Sequence, residues 1–315
     1  MISSYLLIYH KEDNDGVFSA AIAKDYLMNE LHIPSSYITL MGCTYDDLNN
    51  LSNSDVNGIC DLYTFVIMMD ISFSDPKKMK KMADKLGQNM YWIDHHKPAI
   101  ENSYKYNYDN LPGVRDTSTS AMALTYMFLK GEMDKNRLPE LIKILASYDS
   151  WTYEENGYTL DYVNSINKAV TLCSKLDVDT VSSWFGKLDQ TNISEFETIG
   201  GILVDYDKAR HAKLIDDCGD LGFTVNGKLA CALFIQGPSN SIMFESISDG
   251  VDHGIVFKYN ANGKWTVSLY NTRNNVDFDC GSYLRDKYKG GGHKGAAGCI
   301  IPASTFNKIM RTKSL

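Results

Sequence analysis

Histidines and aspartates recur in this chain in short groups that fall at the ends of apolar runs. His10 precedes Asp13 and Asp15 in His10-Lys11-Glu12-Asp13-Asn14-Asp15-Gly16, and Asp70 closes Val66-Ile67-Met68-Met69-Asp70. Asp94-His95-His96 closes Tyr91-Trp92-Ile93, and Asp149 stands in Ser147-Tyr148-Asp149-Ser150-Trp151. Singly, each has an ordinary explanation. An aspartate after a strand usually caps a turn or a helix, and adjacent histidines are commonly solvated. Together they exceed what turns require, because no turn calls for a histidine three residues before one aspartate and five before another. Imidazole and carboxylate donors suit hard-to-borderline cations such as manganese, whereas thiolates would indicate zinc or iron–sulfur. Two cations about 3.5–4 Å apart need a bridging carboxylate and others to balance charge. The set reads as a two-metal centre.

Such side chains must be brought together by elements far apart in sequence. The runs Tyr5–Tyr9, Tyr37–Cys43, Tyr63–Met69 and Asn89–Ile93 read as strands, the third apolar throughout as if covered on both faces. Helical patterns fall between and after them: Gly16–Leu31, a helix opened by Asp75-Pro76, and stretches near Ser120–Lys130 and Pro139–Tyr148. This alternation predicts an α/β fold with a mainly parallel, doubly wound sheet. Ligands of such sheets sit beyond the carboxyl ends of the strands, where the acidic and histidine groups fall. Tyr104, Tyr106 and Tyr108 alternate like one face of a strand and read as packing residues.

Residues 158–218 read as helical and polar, a linker. Beyond them the style changes, with Asn226-Gly227 and Asn262-Gly263 each splitting apolar alternations, a strong hairpin signal. The expected organisation is a catalytic domain over 1–190, a helical linker over 191–219 and a smaller mixed α/β domain over 220–315, with helices near Ser239–Ser248 and Gly281–Tyr288.

The chain has 315 residues and a net charge of −8, with 44% hydrophobic and 22% charged residues. That length fits two packed domains. The acidic balance argues against a wide grip on duplex DNA but permits a small anionic substrate, since cations can reverse the field inside one cleft. No apolar run is long enough to span a membrane, and the start lacks the features of a secretory signal, so a cytoplasmic location is expected. The 7 cysteines are scattered singly and read as reduced thiols.

The sequence resembles the DHH phosphoesterases, named for the tripeptide seen here as Asp94-His95-His96. YHKEDNDGVFSAA looks like the family's first motif, Asp70 like its second and Asp149 like its fourth. Gly290-Gly291-Gly292-His293-Lys294-Gly295-Ala296-Ala297-Gly298 is similar to the GGGHxxAAG signature of the DHH-associated C-terminal domain. The resemblance implies two divalent metal ions, Mn2+ first with Mg2+ or Co2+ as alternates. One would be held by His10, Asp13 and Asp70, the other by Asp15, Asp70, His95 and Asp149, with Asp70 bridging. Asp13 lies three residues after His10, where many relatives space the pair by two or four, so Glu12 is the substitute candidate. His96 is expected to contact the phosphoryl group or protonate the leaving oxygen, and Asp94 to orient a ligating imidazole.

The glycine tract has a logic of its own, since successive glycines let backbone N–H groups approach an anion. Gly291, Gly292, His293 and Lys294 are the candidate substrate residues there. Arg273 looks like the family's substrate-phosphate arginine; Arg115 is a weaker candidate. The leading expectation is a metal-dependent phosphodiesterase that degrades short oligonucleotides or dinucleotides to mononucleotides through a two-metal-activated hydroxide. The alternatives are a phosphatase for 3′-phosphoadenosine 5′-phosphate, a pyrophosphatase or polyphosphatase, and a non-catalytic nucleotide sensor. Expected partners are the short nucleotide substrate, neither duplex DNA nor a membrane, with a homodimer among the allowed assemblies.

Overall fold

The computed structural model describes residues 3–132, 134–185, 193–237 and 239–315. The chain divides into two compact units, Met1–Val204 and Asp205–Leu315.

The first unit opens with β1 (Tyr5–His10), α1 (Asn14–Asp25), β2 (Ile38–Cys43), α2 (Tyr45–Asn50), α3 (Asn53–Leu62) and β3 (Phe65–Met69). It continues with α4 (Pro76–Leu86), β4 (Met90–Ile93), α5 (Lys97–Tyr106), α6 (Ala121–Lys130), α7 (Glu140–Asp149), α8 (Leu160–Ser174) and α9 (Val178–Ser182). The strands form one sheet in the order β2-β1-β3-β4, and every pairing is parallel. Successive residues of a strand face opposite sides of the sheet, so these apolar strands feed two separate cores. Leu7, Ile67, Met69 and Ile93 pack with α1, α6, α7 and α8 on one face. Leu6, Ile8, Val66, Met68 and Trp92 pack under α3 and α4 on the other. The chain leaves β1 toward β2, then crosses to β3 on β1's far side. The order therefore reverses between β1 and β3, the place where such sheets open a crevice at their carboxyl edge.

Local chemistry explains the element boundaries. Thr44 and Ser52 each close a capping box with an aspartate three residues on, which starts the short helices α2 and α3. Asp75 caps α4, with proline at its first turn. The helix expected over Gly16–Leu31 ends as an α-helix at Asp25 and finishes as a π-helical turn, Tyr26–Glu30. The strand expected from Tyr63 begins at Phe65, because Tyr63 caps α3. The tyrosine alternation at 104–108 is not a strand. Tyr104 and Tyr106 lie on α5, set by a proline in its first turn, and Tyr108 follows Asn107, which ends the helix in a left-handed conformation.

α10 (Ile193–Cys218) is one long helix that crosses the division between the units. Residues 186–192 of the expected helical stretch, with the boundary expected at 190, lie outside the described residues.

The second unit is a mixed sheet of β5 (Asp220–Val225), β6 (Lys228–Phe234), β7 (His253–Tyr259), β8 (Lys264–Asn271), β9 (Gly291–Gly292) and β10 (Ala296–Pro302), in the order β5-β6-β7-β8-β10-β9. α11 (Cys280–Tyr288) and α12 (Ala303–Thr312) cover one face. Both Asn-Gly pairs turn hairpins. Asn226 and Gly227 have φ of 49° and 77°, as the turn joining β5 to β6 demands, and Gly263 has φ 77° between β7 and β8. The helix expected over Ser239–Ser248 is a 3₁₀ segment, Ser241–Ile247, opened by Asn240 without a side-chain cap. No helix of the described residues is long and apolar enough to cross a membrane.

Candidate metal centre

Three neighbouring strands deliver side chains to the carboxyl edge of the sheet. His10 is the last residue of β1, Asp70 follows β3, and Asp94, His95 and His96 follow β4. Helices supply the rest: Asp13 and Asp15 at the start of α1, and Asp149 at the end of α7.

Each side chain is held by its local surroundings. Asp13 caps α1, accepting from the Gly16 N–H at 3.0 Å, while its other oxygen shares a 2.8 Å hydrogen bond with His10 Nδ1. Gly16 must be glycine, because a Cβ there would lie 2.0 Å from the His10 carbonyl oxygen. Asp15 is 2% exposed and accepts from the Ala121 and Met122 N–H groups at 2.8 and 2.6 Å. Those amides, at the N-terminus of α6, have no partner within the helix, so the helix end fixes the carboxylate. Asp70 sits in the left-handed region, φ 57°, which aspartate tolerates better than most residues. Asp94 is fully buried and accepts from Trp92 Nε1 at 3.1 Å, from the His96 N–H at 3.0 Å and from His96 Nδ1 at 2.8 Å.

The donors converge around Asp70. Its Oδ2 lies 3.8 Å from His10 Nδ1, and its Oδ1 lies 3.4 Å from His95 Nε2. The same His95 nitrogen stands 3.6 Å from Asp15 Oδ2 and 3.5 Å from Asp149 Oδ2. These separations are too long for good hydrogen bonds. They lie at or a few tenths of an ångström beyond the edges of a coordination shell, about 3.0–3.4 Å for donors about 2.1 Å from one ion. Asp70 Oδ1 and Asp149 Oδ2 are buried without a hydrogen-bond partner, a costly state unless something else meets them. In each of three trios the donor atoms lie within 4.8 Å of one another: His10, Asp13 and Asp70; Asp15, His95 and Asp149; Asp70, His95 and His96. The donor set fits divalent cations.

Electrostatics point the same way. Burial, with Asp15, Asp13, Asp149 and Asp94 nearby, pushes the Asp70 carboxyl well above the usual range. Burial and the charges of Asp15 and Asp13 do the same to Asp149. Burial lowers the His95 imidazole against the pull of the surrounding carboxylates, which favours the neutral, ligating form. His96 is half-buried, and against the desolvation that lowers it the hydrogen bond to Asp94 raises it. His10 is likewise raised against burial, by Asp13 and then Glu12. So many carboxylates around one point repel one another, and bound cations would relieve that repulsion.

The structure brings His10, Asp13, Asp15, Asp70, His95 and Asp149 together, with Asp13 in the trio of His10 and Asp70, whereas Asp94, expected to orient a ligating imidazole, holds His96 instead. Glu12 has a side chain 62% exposed, 3.6 Å from His10 Nε2. Arg115 is not a free cation. Its guanidinium donates to the Trp92, Pro112 and Asp109 carbonyls at 3.0, 3.4 and 2.8 Å and lies over the Trp92 ring. Sequence reading missed Tyr45, whose ring stands 5.5 Å from that of His10 and 6.2 Å from that of His96. The signal was available, since Tyr45 follows the carboxyl end of β2.

The expected substrate residues lie in the second unit. Arg273, with a side chain 72% exposed, pairs with Glu245, and Lys294 lies 3.2 Å from Asp277. Two glycines of the tract are required by packing: a Cβ on Gly290 would meet the Gly298 carbonyl oxygen at 2.4 Å, and one on Gly292 the Ala296 oxygen at 2.6 Å. Gly291 would meet nothing. The His293 N–H is committed to the Ala296 carbonyl.

A family model for the DHH family, N-terminal domain, matches residues 5–147. No curated protein matches the chain. Among solved structures it is similar to a pGpG-specific phosphodiesterase, PggH, from Vibrio cholerae, with 12% identity, 98% and 97% of the two chains covered and a TM-score of 0.53. It is similar to the exonuclease RecJ bound to manganese, with 15% identity, 99% and 89% covered and a TM-score of 0.53. RecJ in complex with Mn2+ from Thermus thermophilus gives 14% identity, 99% and 51% covered and a TM-score of 0.56. At these identities the likeness is one of fold. The matched region, residues 5–147, is similar to the N-terminal domain of the DHH family and carries every side chain of the centre except Asp149.

Proposed function

We propose that this protein is a phosphodiesterase that binds two divalent cations, manganese foremost, and hydrolyses short oligonucleotides or dinucleotides to mononucleotides. The observation that carries the reading is Asp70, with one oxygen toward His10 and the other toward His95, as a carboxylate shared by two cation sites would be. His10, Asp13 and Asp70 would hold one ion; Asp15, Asp70, His95 and Asp149 the other. When bound, such a pair supplies Lewis acidity, making water a better nucleophile and offsetting charge on the phosphoryl oxygens.

The chain's own groups do the rest. Asp94 holds His96 by Nδ1 and by the backbone N–H, which fixes the ring and commits Nδ1 to the carboxylate. His96 Nε2 is then the nitrogen placed to deliver a proton to the departing ribose oxygen, and Asp94 keeps the imidazolium available. In the second unit, Arg273 would exchange Glu245 for a substrate phosphate, a two-point grip suited to its guanidinium. Gly291, Gly292, His293 and Lys294 would line the same phosphate site. The acidic chain favours a substrate of few phosphates over a long duplex. The pGpG-specific neighbour and the manganese-bound exonuclease have substrate and metal classes that agree with this reading.

The test is turnover of pApA with Mn2+, set against pyrophosphate and 3′-phosphoadenosine 5′-phosphate. Mononucleotide release from pApA at a kcat/KM at least tenfold above either competitor is expected. Preference for a competitor would transfer the reading to a phosphatase or pyrophosphatase, and inactivity on all three to a nucleotide sensor.

A further inference from the structure

The helix α4 carries a concentration of positive charge that the metal centre does not use. In an acidic chain, its sequence Pro76-Lys77-Lys78-Met79-Lys80-Lys81-Met82-Ala83-Asp84-Lys85-Leu86 has five lysines in nine residues. Met79, Met82 and Ala83 are its buried side. Lys77, Lys80, Lys81 and Lys85 instead line a groove of about 410 Å³ together with Asp84, Asn57 of α3 and Tyr106 of α5.

The charge there is only partly neutralised. Lys80 pairs with Asp84 and Lys85 with Asp61, whereas Lys81 reaches only the Asn53 carbonyl at 3.2 Å. Lys77 has no carboxylate within ion-pair distance among the described residues. The first turn of α4 has two lysines and no acidic residue beyond the capping Asp75. An anion laid along this face would meet the lysines.

The spacing specifies what kind of anion. Lys77, Lys81 and Lys85 recur every fourth residue, so they share one face and rise about 6 Å from one to the next. That is the scale on which phosphates follow one another along an extended single strand. Tyr106 adds an aromatic ring at the groove's edge, the usual partner of cations in sequence-tolerant strand binding. The groove also has a direction. α4 connects two parallel strands and so runs back against them, which places Lys77 toward the carboxyl edge that bears Asp70.

We propose that the α3–α4–α5 groove binds the backbone of a single-stranded oligonucleotide and leads it toward the metal centre. The groove would then set a preference for chains longer than a dinucleotide. This length preference rests on the phosphodiesterase reading; strand binding does not.

The experiment compares the full-length protein with its Lys77→Glu/Lys81→Glu variant. Binding of a fluorescein-labelled twelve-nucleotide RNA is followed by anisotropy in EDTA at several salt concentrations. The variant should bind at least tenfold more weakly, and its log–log salt slope should shrink by about 1.4, as two phosphates would no longer be neutralised. With Mn2+, pApA turnover should stay within twofold while turnover of the longer RNA falls. Unchanged affinity and slope would overturn the proposal, as would inorganic polyphosphate competing as well as RNA per charge. If the wild type binds RNA and the variant does not, but neither hydrolyses pApA, the groove stands and the phosphodiesterase reading fails.

Discussion

Asp70 is buried in a left-handed backbone conformation, crowded by carboxylates and with Oδ1 unpartnered. In a metal-free protein it is therefore a source of strain. A group whose folded pKa is raised leaves stability intact below its unfolded pKa and withdraws it as pH rises through the folded value. Wild-type protein in EDTA should lose stability relative to Asp70→Asn as pH rises from 5 to 8. Near pH 8 the variant should melt about 2–4 °C higher, the shift expected for about 1 kcal/mol in a unit of this size. Added Mn2+ should raise the melting temperature of the wild type but not of the variant, and the variant should lose turnover. Equal metal-induced shifts would remove Asp70 from the centre. Most of these side chains were legible in sequence because histidines and aspartates at several strand ends exceed what caps need. Their supports were not. That the Ala121 and Met122 amides fix Asp15 across more than a hundred residues follows only from the fold.

The strands were readable because a sheet covered on both faces needs continuous apolar runs, and β1, β3 and β4 have them. The short helices were harder. α2 and α3 owe their ends to capping boxes, α5 to a proline after His96, and a two-residue alternation of tyrosines hid the helical period of α5. Arg115 shows how an element can claim a residue that resembles a substrate contact. It ties the segment after α5 to β4 through three carbonyls. Arg115→Ala should destabilise the protein by about 1–2 kcal/mol, from the buried Trp92 carbonyl left unpaired, with the KM for pApA unchanged. Urea denaturation and steady-state kinetics would check this. A raised KM at unaltered stability would return Arg115 to the substrate site.

The chain as a whole joins a parallel sheet, whose edge gathers ionisable groups, to a mixed sheet with a glycine tract and an exposed arginine. The change of style near residue 220 was visible in the Asn-Gly hairpins, because positive φ is a demand that few residues meet. The division at Val204 was not, because it falls inside the uninterrupted α10, where helical periodicity gives no break. The glycines show a similar limit. Gly290 and Gly292 are explained by close backbone packing, which leaves Gly291 as the one in the triplet without a steric reason. If Arg273 grips a phosphate remote from the bond cleaved, Arg273→Ala should raise KM for pApA more than it lowers kcat; an unchanged KM would exclude it.

Anomalous diffraction from a manganese-soaked crystal tests the two-cation centre most directly. Two peaks about 3.5–4 Å apart are expected, one beside His10 and Asp13, the other beside His95 and Asp149, with an Asp70 oxygen on each. A single peak, or two peaks that share no oxygen of Asp70, would contradict it.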